Sequence, residues 1–227
     1  MFDGQFRTSI ERALQPVGAS LGRMGLVADH LTTLGVVVAV AAAVAIGSGR
    51  LFLGFVLVVV SSVPDLLDGA LAKASGQASQ RGAFFDSVVD RVSDSVVLGG
   101  VAWHVSITHD PRLSVLPFAV SATSMLVSYQ RAKAESLGLE ARGGLMERAE
   151  RIVVLCFGLL VSSMLMWVLW TLLVLTALTA LHRFAKVWRQ ASVGPTVAER
   201  RPSRASRRGA RRADRRRVRR RRHLFDE

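Results

Sequence analysis

LTTLGVVVAVAAAVAIGSG, residues 31–49, contains no charged side chain. At 1.5 Å per residue, a helix of that length crosses roughly 30 Å, the thickness of bilayer hydrocarbon. Four more apolar runs come after it. Residues 51–64 are uncharged and end at Asp65 and Asp68. Residues 95–108 hold only His104 as an ionisable group and come after Asp86, Asp90 and Asp94. Residues 113–130 form the next run, and residues 152–181 continue for 30 residues without charge. The last is too long for one comfortable span. Extended by its polar flanks, it divides into two helices with a turn expected near residues 164–167. The fold class expected is therefore all-α integral membrane, with six transmembrane helices over residues 29–190.

Charge supports that count. The chain has 227 residues, 30 Lys+Arg against 17 Asp+Glu, and half of its residues are apolar. Residues 193–227 hold 14 Arg and four acids, leaving 16 basic and 13 acidic residues for the rest. The body is thus a nearly neutral apolar unit with a cationic tail, which excludes a uniformly basic chromatin-type protein. A single cysteine, Cys156, excludes a disulfide scaffold. With six spans and a cytoplasmic N-terminus, Arg50 and Arg112 are the only basic residues in the outward connections. Such asymmetry is what the positive-inside rule asks for. Five or seven spans would place the Arg-rich tail outside. The expected location is the inner (plasma) membrane, with both termini cytoplasmic.

Residues 1–28 lack the continuous apolar core of a signal peptide. Phe6, Ile10, Leu14, Val17, Leu21 and Met24 recur every three or four positions, the pattern of an amphipathic juxtamembrane helix on the membrane surface. A helix packed on the cytoplasmic side of the bundle has the same pattern. Residues 191–227, dense in Arg and poor in apolar residues, are expected to be a disordered cytoplasmic tail held at anionic lipid. RNA association is a lesser reading, without a motif.

The chemistry is concentrated in PDLLDGALAKASGQASQRGAFFDSVVDRVSD, residues 64–94. Asp65 and Asp68 are three apart and Asp86 and Asp90 four apart, so each pair shares a helix face. A polar connection at residues 74–81 separates the pairs, and antiparallel helices would bring all four acids to similar depth. An unpaired acid in a span costs about 2.5–3.5 kcal/mol on insertion scales, so a compensating cation is expected. Oxygen-only donors without His or Cys suit Mg²⁺ or Mn²⁺ better than zinc. Gly69 and Ala72 leave the helix bare beside the acids, giving a phosphate room to approach. A plainer reading pairs Asp68, Asp90 and Asp94 with Lys73, Arg81 and Arg91 as interfacial ion pairs.

The spacing Asp65-x2-Asp68-Gly69-x2-Ala72-Lys73-x8-Gly82-x3-Asp86-x3-Asp90 resembles the signature of the CDP-alcohol phosphotransferases. Eight specified positions over 26 residues agree in spacing, and Lys73 stands where that family usually has Arg. The change keeps the charge and loses the planar fork of the guanidinium. The resemblance implies a six-helix membrane enzyme, generally a homodimer, that displaces CMP from a CDP-linked lipid with an alcohol. It implies two divalent cations, Mg²⁺ or Mn²⁺, on Asp65, Asp68, Asp86 and Asp90, with Asp90 as general base. It also places the CDP-lipid against Asp29, Thr32, Gly69, Ala72, Lys73 and Gly82. On sequence alone, an N-cap of the first span is the alternative reading of Asp29.

Residues 128–151, SYQRAKAESLGLEARGGLMERAER, gather a second set of charges. Most cations at helix ends serve only to snorkel. Arg148 and Arg151, however, share a face at the depth expected for the acids, and guanidiniums bind phosphate bidentately. The segment is similar to the bacterial phosphatidylinositol phosphate synthases, as is Asp-Arg-x-Ser-Asp at residues 90–94. That similarity implies CDP-diacylglycerol and inositol 1-phosphate as substrates. It implies inositol-phosphate contacts at Arg131, Arg151 and Arg183, and the neighbouring Lys133 and Arg148 are expected to join that site; Arg131 and Lys133 stand exchanged relative to the subfamily. Glycerol 3-phosphate, the substrate of a phosphatidylglycerophosphate synthase, is the competing acceptor. A transporter would spread its acids through several spans near the midplane. A protein binding nucleic acid or anionic lipid through its tail leaves the acids unexplained, and nucleic acid is not an expected partner.

Overall fold

The computed structural model describes residues 28–63, 80–141, 143–144 and 146–193. Among them are six α-helices and no strand: α1 (Ala28–Gly47), α2 (Leu51–Ser61), α3 (Gln80–Thr108), α4 (Val115–Ser136), α5 (Arg148–Leu160) and α6 (Leu165–Val193). Short 3₁₀ turns occupy Pro111–Ser114 and Ser162–Met164. Most of the expected surface helix, the tail beyond residue 193, and Asp65, Asp68, Gly69, Ala72 and Lys73 lie outside the described residues.

Small residues set the helix packing. Ala39, Ala42, Ala43 and Ile46 form the buried face of α1, which lies against α2 and α3. A Cβ at Gly100 on α3 would collide with the backbone of Ala43, so the two helices meet backbone to backbone. Close approach through small residues is how helices associate when lipid removes the hydrophobic incentive to pair. Further round the bundle, α3 meets α4, α2 meets α5, and α6 packs on both α4 and α5. Val101, Val105, Leu159, Leu169 and Leu172 fill the centre.

The outside is as apolar as the inside. Leu34, Val37, Val40 and Val44 are exposed along α1, and Trp167, Trp170, Val174, Leu178 and Leu181 along α6. A water-soluble monomer does not leave stripes of this size bare, whereas hydrocarbon solvates them. Among the described residues, three helical segments are long and apolar enough to cross a membrane: His30–Gly47, Pro111–Ser136 and Ser162–Ser192. The sequence reading of six spans is met only in part. Within the described residues, α2 and α5 have 11 and 13 residues and rise about 16 and 20 Å, and the chain after Val63 passes out of those residues. Helix α3 has the length, but its first half carries the charges.

One connection and one helix end differ in detail from expectation. The break between α5 and α6 begins at Val161 (φ −110°, ψ 81°), slightly before the expected turn. Its signal is Gly158, where an added Cβ would sit 2.9 Å from Val168 Cγ1. The glycine allows the two helices to close up beside the turn and is not itself part of it. Helix α6 also runs to Val193, past the expected domain boundary at residue 190.

Candidate active site

Helix α3 carries Asp86, Asp90 and Asp94 at successive i,i+4 positions, so the three lie along one face. Gly82 is in its first turn. Opposite stands the start of α5, where Arg148 and Arg151 are one turn apart. Cations at a helix N-terminus are opposed by the helix dipole. What holds them is α3. Arg148 Nη1 lies 2.8 Å from Asp90 Oδ1, and Arg148 Nε lies 3.2 Å from Asp94 Oδ1. Arg151 Nη2 is 3.5 Å from Asp94 Oδ2, and its Nη1 donates to the Met146 carbonyl at 3.3 Å. Arg91 reaches the other oxygen of Asp90 at 3.4 Å.

The plainer ion-pair reading is therefore right about Arg91 and Asp90. The principal partners of the acids, however, come from α5, 54 and 57 residues beyond Asp94. Asp94, absent from the eight-position spacing, bridges both arginines. Its signal in the sequence is the third step of the i,i+4 acidic series.

Behind the charged quartet lies a cavity of about 40 Å³, reaching from Ser61, Ser93, Asp94, Arg148 and Arg151 down to Ser124. Its floor is apolar. The Ser124 hydroxyl is buried, and its oxygen has no hydrogen-bond partner among the described residues. A volume of this size accommodates water, which needs about 10–15 Å³ per molecule by such a measure.

The connection from α4 to α5 is built to deliver Arg148. Gly138 (φ +72°) ends α4 in a Schellman turn, with Leu139 N donating to Ala134 O at 2.9 Å and Gly138 N to Glu135 O at 3.0 Å. Helix α6 clamps the rest of the connection. Gln190 accepts from Glu140 N at 3.0 Å and donates to Glu140 O at 2.8 Å. The Thr179 hydroxyl accepts from Met146 N at 3.2 Å.

Arg183 completes the clamp. It is only 3% exposed. Its Nε, Nη1 and Nη2 donate to Gly143 O, Val127 O and Glu147 Oε1 at 3.0, 3.1 and 3.1 Å. It thus ties α4, the connection and the residue preceding Arg148 to α6.

The remaining expected residues are more dispersed. Thr32 is buried on α1, and Asp29 falls in the first turn of that helix. Arg131 is paired with Glu135 at 3.1 Å, and Lys133 is exposed near the end of α4. The structure brings together Asp90, Arg148 and Arg151. It gives Arg183 and Arg131 their own carboxylate partners.

The described part of the acidic site fits a hard divalent cation. Asp86 and Asp90 offer only oxygen donors from one helix face, and Asp86 forms no ion pair among the described residues. Those residues hold no group of three or more potential metal ligands. Asp65 and Asp68 lie outside them.

An acidic helix face meeting a cationic helix start in an apolar bundle suits a membrane enzyme that handles phosphate esters. Residues 25–181 match the model of the CDP-alcohol phosphatidyltransferases, and the chain belongs to that family. It is 36% identical over 159 residues to the phosphatidylinositol phosphate synthase of Mycobacterium marinum, covering 69% of this chain and 68% of that one. It is 37% identical over 162 residues to the archaetidylinositol phosphate synthase of Methanothermobacter thermautotrophicus, covering 71% and 78%. The fold is similar to the crystal structure of Mycobacterium tuberculosis phosphatidylinositol phosphate synthase with CDP-DAG bound. The TM-score is 0.75 at 32% identity, over 82% of this chain and 99% of that one. The same protein in complex with manganese and citrate gives 0.75 at 32%, over 81% and 93%.

Proposed function

We propose that this protein transfers the phosphatidyl group of CDP-diacylglycerol to inositol 1-phosphate, forming phosphatidylinositol phosphate and CMP. The observation that carries the reading is the contact between the acidic face of α3 and the paired arginines of α5. It sets a nucleophile-activating carboxylate beside a site for an anionic acceptor. The names of the relatives add support, because they share inositol phosphate and differ in the lipid.

Asp65, Asp68, Asp86 and Asp90 would hold two divalent cations, Mg²⁺ or Mn²⁺, which neutralise charge on the pyrophosphate of the donor. Asp29, Thr32, Gly69, Ala72, Lys73 and Gly82 form the CDP-lipid side. Arg148 and Arg151 take the phosphate of the acceptor, with Arg131, Lys133 and Arg183 around them. Asp90 accepts the proton of the acceptor hydroxyl as its oxygen attacks the phosphatidyl phosphorus. The bond from that phosphorus to the CMP oxygen breaks, and CMP departs with the electron pair.

Six membrane crossings over residues 29–190, a surface helix before them and an Arg-rich tail after them complete the reading. Both termini and the acidic site lie on the cytoplasmic side of the inner membrane, and the enzyme works as a homodimer. The support for this orientation is the scarcity of basic residues in the opposite connections. One experiment tests the reaction. Purified protein is given CDP-diacylglycerol with inositol 1-phosphate, free inositol, glycerol 3-phosphate or serine, and the lipid product is identified. A phosphatidylinositol phosphate product is expected; phosphatidylglycerophosphate alone would reassign the acceptor.

A further inference from the structure

We infer that Asp94 is a positioning residue for the acceptor phosphate, holding Arg148 and Arg151 in one fixed orientation. The inference rests on the reading of those two arginines as the phosphate site. Asp94 lies one helical turn, about 6 Å, beyond Asp90 on α3. Each of its oxygens takes a different guanidinium, Arg148 at 3.2 Å and Arg151 at 3.5 Å. No other carboxylate in the described ion pairs serves both arginines.

The physical need for such a residue is plain. Arg148 and Arg151 are like charges one turn apart, and they sit at the end of α5 where the dipole also repels them. Without a shared counter-ion, the two guanidiniums would repel each other and lose their common orientation. Ordering two guanidiniums only when the substrate arrives would draw on the binding energy of that substrate. Asp94 orders them beforehand. Arg151 is fixed from a second side by the Met146 carbonyl, and Arg148 from a second side by Asp90. When Asp90 serves the cations and the acceptor hydroxyl, Asp94 remains as the anchor of Arg148. All three side chains, Asp94, Arg148 and Arg151, line the same cavity, so the anchored arginines border space rather than packed core.

Charge and position make opposite predictions here, which gives a sharp test. If Asp94 acted only through its charge, neutralising it would make the pocket more positive and strengthen binding of an anion. If it positions the arginines, the same change weakens binding. The full-length enzyme in detergent with Mn²⁺ is assayed for KM toward inositol 1-phosphate and CDP-diacylglycerol separately. Binding of Mn²⁺ to substrate-free protein is followed by electron paramagnetic resonance. Asp94→Asn is expected to raise the KM for inositol 1-phosphate about 10-fold or more, within the range seen when supporting residues are lost. The KM for CDP-diacylglycerol stays within about twofold, since that contact does not involve Asp94, and Mn²⁺ still binds the substrate-free protein. An unchanged or lower acceptor KM overturns the inference, as does an equal rise for both substrates. Asp94→Glu, which keeps the charge and displaces it by one methylene, is expected to raise the acceptor KM by a smaller factor. If the Asn variant does not fold, the Glu variant decides, and a wild-type acceptor KM there would overturn the inference. Arg151→Ala separates the two levels of the argument. No change in acceptor KM there removes the phosphate site itself, whereas a large change there with none in Asp94→Asn removes only the role of Asp94.

Discussion

Arg148 Nη1 lies 2.8 Å from Asp90 Oδ1, which joins the expected phosphate ligand directly to the expected metal ligand and base. A guanidinium and a divalent cation held on one carboxylate repel each other. Arg148 and a metal therefore compete for Asp90. Arg148→Gln is expected to tighten Mn²⁺ binding to the substrate-free protein about 10-fold, or roughly 1.4 kcal/mol. The same variant weakens the acceptor. Electron paramagnetic resonance of Mn²⁺ reads the first effect, and steady-state kinetics reads the second. Unaltered Mn²⁺ affinity would show that the contact opens without energetic consequence.

The role of Asp90 in the chemistry is separable from its role as a partner of Arg148. Asp90→Asn keeps the shape and an oxygen but removes the proton acceptor. Turnover is expected to fall by about 10²–10⁴, the usual contribution of general base catalysis, or further if a metal is lost as well. Binding of CDP-diacylglycerol is expected to persist, because the residues proposed for the CDP-lipid side are on α1 and within positions 69–82 of the sequence. Removing divalent ions with EDTA should stop CMP release in the wild-type protein, and Mn²⁺ or Mg²⁺ should restore it. CMP release that survives both EDTA and Asp90→Asn would move the chemistry elsewhere.

Asp90 and Arg148 also differ in how far a sequence can place them. Spacing along one helix is readable: Asp86 and Asp90 fall on one face because four residues make about one turn. Helices α1 and α4 are readable for the same kind of reason, since their uncharged runs at residues 31–49 and 113–130 have the length that a bilayer requires. Partners across the bundle are not. Nothing local to Asp94 reports that Arg148 and Arg151 lie opposite it 54 and 57 residues later, because that contact depends on how α3 and α5 are rotated. Helices α2 and α5 show a second limit. Their apolar runs suggest spans, but a turn at Ser62 follows α2 and the break at Val161 ends α5 within the described residues.

The contact between α1 and α3 at Ala43 and Gly100 gives a test of the packing itself. Any side chain at Gly100 meets backbone rather than a movable side chain, so relief requires the helices to separate. Gly100→Leu is expected to destabilise the protein by more than about 1–3 kcal/mol, the usual range for overpacking. Thermal unfolding in detergent measures it. Gly99→Leu is the control, since nothing lies within 4 Å of a Cβ placed there. Its stability should stay near wild type.

Arg183, expected at the acceptor site, has surroundings that predict an additional duty. Its three donors are engaged by Gly143 O, Val127 O and Glu147, so it fastens the segment that ends one residue before Arg148. Arg183→Ala should therefore lower stability and disorder the acceptor site together. Loss of a charged donor to two carbonyls costs about 2–4 kcal/mol. Lys cannot replace it, because one ammonium on a flexible stem does not reproduce a planar fork serving three acceptors. Both Arg183→Ala and Arg183→Lys are thus expected to melt earlier and to raise the KM for inositol 1-phosphate. Glu147→Gln keeps a neutral acceptor for Nη2 and should show a milder form of the same pair of effects. A raised acceptor KM in Arg183→Lys with wild-type thermal stability would mean that Arg183 meets the phosphate directly and that the clamp carries little energy.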